Sequence, residues 1–251
     1  MNHMKRRIAV VAVSLILGAC GGGGSEDSAG GSSGPSGSAE GFWSGTLASG
    51  VAVSAAILEN GETWGVYTSG TLIVGALHGQ TTSSGTTLSG SGTAFDVANR
   101  SSSRGTYSGT FTPKSTIRIN SSDGGVFSGT YDTEYDRPAV LSSVTGSFTG
   151  QGVSGNSAVQ SIPLSIAADG TVTALGTQGC SAAGSLVPRP SGKNIFNVSV
   201  TFTGTNCALG NGTVTTGVGY YDMDTKRLLV LALNAAKTDG FIYIGSKAAP
   251  A

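Results

Sequence analysis

Four short segments of this 251-residue chain share one cassette, Gly-x-aromatic-Ser/Thr-Gly. They are GFWSG at Gly41, GTYSG at Gly105, GVFSG at Gly125 and GSFTG at Gly146. Around them the chain breaks into short apolar or alternating runs. The first half holds eight: GFWSGTL, VAVSAAIL, TWGVYT, LIVGALHG, LSGSGTAFD, GTYSGTF, STIRIN and GVFSGTY. In STIRIN, Ile117 and Ile119 share one face while Arg118 and Asn120 take the other, the signature of a half-buried strand. Asn60-Gly61 and Asp123-Gly124 are hairpin signals between such runs.

The second half repeats the plan with eight more runs: GSFTGQG, QSIPLSI, TVTALG, CSAAGSLVP, NIFNVSVTFT, TGVGYYD, RLLVLALN and GFIYIGS. Asp169-Gly170 turns its second run into its third, as Asn60-Gly61 does in the first half. Each half ends alike: an alternating strand closing on Asn120 or Asn234, a polar turn ending in Asp-Gly, then an aromatic strand. The expectation is an internal duplication. The fold class is all-β, with two antiparallel lobes of about eight strands each, barrel or sandwich, and one short connecting helix. Glycines in the cassettes permit the close approach and coiling that a tight barrel needs.

The N-terminus carries a different message. Lys5, Arg6 and Arg7 precede the apolar stretch Ile8 to Leu17, which is too short to span a bilayer comfortably as a helix. Leu17-Gly18-Ala19-Cys20 resembles the lipobox of bacterial lipoproteins. The resemblance implies cleavage before Cys20, a diacylglycerol on its sulfur and acylation of its amine, with palmitate among the chains. Gly21 after the cysteine implies the outer membrane by similarity to enterobacterial sorting. The segment GGGGSEDSAGGSSGPSGSAE that follows has no apolar surface to bury and reads as a disordered tether. Three of the 14 basic residues belong to the signal, leaving 11 against 14 acids. No basic patch for nucleic acid remains.

With Cys20 lipidated, Cys180 and Cys207 are left in a compartment that permits disulfides. Bridging them would close a loop of about 28 residues and contribute about 3–4 kcal/mol in the chain-entropy model. Two cysteines with no accompanying histidine are too few soft ligands for zinc. The mature chain keeps one histidine, His78, expected at a strand end or turn. The nucleophile elbow, the H-E-x-x-H helix and a phosphate-cradling loop are all missing from the sequence. No catalytic residue and no cofactor is expected.

The acids of YDTEYD are the remaining chemistry. On an extended chain Asp132, Glu134 and Asp136 would share a face, which is the weak case for a calcium ion. The alternative is structural: Asp136 caps a short helix with Pro138 in its first turn and AVLSSV as its body, while Tyr131 and Tyr135 pack at a seam. The organisation expected is a signal peptide at 1–19, lipidated Cys20 and tether at 20–40, a β lobe at 41–136, a connector at 137–145 and a second lobe at 146–248.

Gly41-Phe42-Trp43 resembles the Gly-x-Trp that opens the first strand of lipocalins and related calycins. The anchored two-lobe plan is similar to transferrin-binding-protein-like surface lipoproteins. Neither resemblance carries binding residues onto this chain, and a plain core role for Trp43 competes with both. Three function classes follow. The leading one is a non-enzymatic interaction or structural module of the envelope, with the membrane as partner through the anchor and envelope or host proteins as further partners. The alternative is a calycin-like small-ligand carrier with Trp43 or Trp64 at the mouth of a cavity. An enzyme, built around His78, is the third.

Overall fold

The computed structural model describes residues 37–154, 157–176 and 179–249. The lipobox, Cys20 and all but the last few residues of the tether lie outside these. Two closed antiparallel barrels of eight strands each account for nearly all of the rest. The first comprises β1 (Gly41–Leu47), β2 (Ala52–Ile57), β3 (Glu62–Ser69), β4 (Leu72–Ser84), β5 (Thr87–Asp96), β6 (Ser101–Thr112), β7 (Thr116–Ser121) and β8 (Val126–Tyr131). The second comprises β9 (Gly146–Ser154), β10 (Gln160–Ile166), β11 (Thr171–Leu175), β12 (Ser181–Pro188), β13 (Phe196–Thr203), β14 (Val214–Asp222), β15 (Arg227–Asn234) and β16 (Gly240–Lys247). Each is a meander in which every strand pairs with its sequence neighbour and the last returns to the first. The barrel alternative to a sandwich is thus the correct one, and the two halves repeat one topology.

Closure depends on the cassettes. At the seam of the first barrel Gly45 of β1 lies opposite Gly129 of β8, and at that of the second Gly150 of β9 lies opposite Gly245 of β16. A side chain at Gly45 would collide with the Ser128 carbonyl, and one at Gly150 with the Ile244 carbonyl. Two residues before each final-strand glycine stands an aromatic, Phe127 or Tyr243, whose ring lies over that glycine. Strands that cross so closely can coil tightly enough to close eight strands.

The two interiors are filled differently. The first packs Trp43, Tyr107, Phe111, Ile117 and Phe127 into one core. A buried hydroxyl chain, Thr63–Thr81–Tyr107, with oxygens 2.6 and 2.7 Å apart, crosses it. Trp43 is fully buried, and its indole N–H donates to the Ala39 carbonyl at 3.0 Å, pinning residues that precede β1 across the barrel end. The second barrel is lined by aliphatic residues, with its aromatic ring pairs toward the ends, such as Phe148–Tyr221 and Phe202–Phe241.

The barrels join side to side through outward-facing apolar residues. Phe42, Trp64, Val66 and Ile73 of the first meet Val218, Tyr220, Leu231 and Ile242 of the second. Phe42 stacks on Tyr220 with ring centroids 3.8 Å apart. Away from this seam the outer face of β5–β7 is polar and exposed, including Thr87, Ser89, Ser91, Thr106, Ser108 and Arg118. A membrane-spanning barrel carries an apolar band on that surface. No helix among the described residues is long and apolar enough to cross a membrane.

The connector departs from expectation. Residues 133–136 form a 3₁₀ turn capped by Asp132, whose carboxylate accepts from the Glu134 N–H at 3.0 Å. The helix α1 is a single turn, Leu141–Val144, with Val140 at its N-cap and no side-chain cap. Asp136 therefore caps nothing; the following Pro138 forces extended backbone and separates it from α1. Strand β4 runs on to Ser84, so His78 sits in mid-strand rather than at a strand end.

Replacing Gly150 with alanine should destabilise the protein by about 3 kcal/mol or more, because backbone must move. Gly219→Ala, where the nearest atom to a new methyl is Leu186 Cδ1 at 3.4 Å, should change stability by less than about 1 kcal/mol. Urea unfolding of the two variants measures the difference, and equal costs would refute this account of the seam.

Candidate functional site

The aliphatic lining of the second barrel encloses an apolar cavity of about 390 Å³. Leu164, Ile166, Val172, Leu186, Val198, Val200, Leu228 and Val230 form its walls. These are the inward positions of strands that alternate strictly, as in β13, where Phe196, Val198, Val200 and Phe202 point in and the residues between them point out. The volume falls within the roughly 300–1,000 Å³ typical of small-molecule sites.

One end of this barrel is plugged. Val144 of α1 is fully buried against Phe148, Phe196 and Tyr221. Phe148 meets Tyr221 edge to face at 6.1 Å. The Lys247 ammonium donates to the Ser143 carbonyl at 2.8 Å, and the Asn194 amide to the Tyr221 carbonyl at 2.7 Å, fastening the plug.

The other end is the mouth. Ser157 and Ala158 from the β9–β10 loop, Gly176 and Cys180 from β11–β12, and Asn206 and Ala208 from β13–β14 border the cavity there. The Cys180–Cys207 disulfide ties the second of these loops to the third. The sequence expectation for these cysteines is met, and the bridge acquires a place: the rim. Among the described residues β10 pairs with β11 from Leu164 to Ile166 and with β9 from Gln160 to Ile166.

Polar residues of the lining include Ser157, Ser181 and Asn206 at the mouth and Tyr243 on β16. Tyr243 is 2% exposed, its hydroxyl has no hydrogen-bond partner among the described residues, and its ring leans over Gly245 toward the plugged end. Burial pushes its phenol up to about 12, so it stays a neutral donor across the physiological range.

The residues singled out from sequence lie elsewhere. Trp43 belongs to the filled first barrel, and Trp64 faces outward into the seam, its buried indole N–H without a hydrogen-bond partner among the described residues. Neither borders the cavity. His78 lies beside Trp64 and bonds Glu62 through Nε2 at 3.0 Å, with Lys237 3.8 Å from the same carboxylate oxygen. The hydrogen bond from His78 holds Glu62 below the usual carboxylate range. This is an ion-pair cluster at the edge of the barrel seam.

The acids of YDTEYD are also separated. Asp132 accepts from the Tyr220 hydroxyl at 2.7 Å, Glu134 pairs with Arg137 at 2.9 Å, and Asp136 holds Lys114 and Lys193 at 2.8 and 2.7 Å. The 3₁₀ turn removes the common face that an extended strand would have provided. Among the described residues no three His, Cys, Asp or Glu side chains come together as a metal site. Tyr135, buried to 1% exposure, and Tyr131 pack at the barrel seam, as expected.

No protein-family model, curated protein or solved structure matches the chain.

Asp136 joins a lysine of each barrel, and its titration should be visible in stability. Burial works against its charge, but Lys114, Lys193 and the Tyr131 hydroxyl outweigh that and bring its carboxyl down to about 2. A lowered folded-state value means stabilisation present in full above the unfolded value near 3.8 and lost as pH falls toward 2. Thermal melts between pH 5 and 2 should show an acid-induced drop in Tm that is smaller in Asp136→Asn. Parallel curves would remove Asp136 from the acid response.

Proposed function

We propose that the protein is a non-catalytic carrier or receptor for a small apolar molecule, held inside the second barrel and tethered to the outer membrane through lipidated Cys20. The observation that carries this reading is the contrast between the interiors: one barrel is filled by aromatics, and its duplicate holds an apolar cavity of about 390 Å³. Burying a ligand against aliphatic walls contributes about 25 cal/mol per Å² of apolar surface. An empty cavity of that size costs stability instead. A structural module gains nothing from keeping one. The envelope interaction role becomes secondary on this reading, a place for the polar outer face of β5–β7 and the tether.

The neutral fluorophore N-phenyl-1-naphthylamine tests the carrier reading. The mature protein should bind it with a dissociation constant on the order of 1–10 μM and brighten its emission. Val200→Phe, which fills the cavity, should reduce affinity about tenfold or more while the cooperative melt persists. Absence of binding by the parent protein rejects the proposal.

The anchor is tested separately. Cys20→Ser should release the protein from the membrane fraction and abolish incorporation of labelled palmitate. Unchanged retention would reject the lipid anchor and leave the cavity reading standing.

A further inference from the structure

Resting on the carrier reading, we infer that the cavity selects neutral apolar ligands bearing one hydrogen-bond acceptor, which the Tyr243 hydroxyl binds at the inner end. Two observations carry this. The first is the charge of the lining: among the described residues around the cavity there is no Asp, Glu, Lys, Arg or His. A carboxylate or ammonium group brought inside would lose its hydration with no opposite charge to replace it. The second is the unpartnered phenol. Tyr243 is buried on β16 in one core with Leu228, Val230 and Phe241, and its hydroxyl makes no hydrogen bond among the described residues.

The fold holds this group in place. Gly245 leaves the space over which the Tyr243 ring lies, and any side chain at 245 would displace both ring and hydroxyl. Opposite Tyr243 on β9 is Gly152, and the Ile162 side chain fills the space beside that glycine. The corresponding aromatic of the first barrel, Phe127 over Gly129, carries no hydroxyl. Hence the donor is a feature of the barrel with the cavity and not of the shared seam. Burial disfavours the ionised phenolate, so the hydroxyl acts as donor. A ketone, ester, ether or alcohol oxygen attached to a compact hydrocarbon satisfies it. A pure hydrocarbon leaves it unbonded, and a fatty carboxylate brings an uncompensated charge.

Displacement of N-phenyl-1-naphthylamine from the mature protein by decane, 2-decanone and decanoate at pH 7.5 is the test. In the parent protein 2-decanone should compete about tenfold more tightly than decane, and decanoate about tenfold more weakly than 2-decanone. Tyr243→Phe should bring 2-decanone to the level of decane. The ratios in the parent protein test the inference even where the variant folds poorly. A ketone-to-alkane ratio near one, a ratio unmoved by Tyr243→Phe, or decanoate as the tightest competitor overturns it. Each of those outcomes leaves the carrier reading intact, whereas failure of the fluorophore to bind removes both.

Discussion

Everything in this molecule depends on two backbones passing too close for a side chain between them. At Gly45–Gly129 and at Gly150–Gly245 the first and last strands of each barrel meet, and a carbonyl oxygen occupies the place of a Cβ. A small barrel needs strongly coiled strands, and coiling brings neighbouring chains together at fixed points. Glycine removes the obstruction but leaves a hole on the inner face. The aromatic two residues earlier folds over and covers it. One short pattern, aromatic-x-glycine on an inward face, thus closes the barrel and seeds its core.

The duplicated plan then diverges through what fills the space beyond the seam. In the first barrel Trp43, Tyr107 and Phe111 meet near the centre, and the threonine–tyrosine hydroxyl chain satisfies the polar atoms they enclose. In the second, valine, leucine and isoleucine occupy inward positions and are too short to meet across the barrel. The first barrel is a solid body and the second a vessel. The side-to-side seam buries the outer faces of β14–β16 against that solid body. The vessel's wall is therefore supported along those strands.

Strand positions were legible because period-two alternation and Asx-Gly turns are local signals: all sixteen expected runs fall on strands. The extension of β4 to Ser84 was not, since Gln80 to Ser84 is a polar series whose inward member, Thr81, is buried by a hydroxyl partner rather than by apolarity. Asp136 misled because an acid before a proline looks like a helix cap, whereas here two lysines from distant loops claim it. The cavity was illegible for a deeper reason. Its volume is what remains after side chains from seven or eight strands fail to meet, and no single stretch records that. One local trace did exist: Tyr243-Ile244-Gly245, a seam motif whose aromatic carries a hydroxyl.

The plug of the second barrel comes from the connector and not from its own strands. Val144, with Leu141 and Ala139 beside it, closes the end opposite the mouth, and Ala139 is itself held by the Lys193 carbonyl at 3.1 Å. Counted by strands, the second unit starts at Gly146; counted by what seals its interior, it starts several residues earlier. A copy of the second half excised at Gly146 would be a tube open at both ends. The duplication therefore did not yield two interchangeable units: the piece of chain that links them has become the bottom of one.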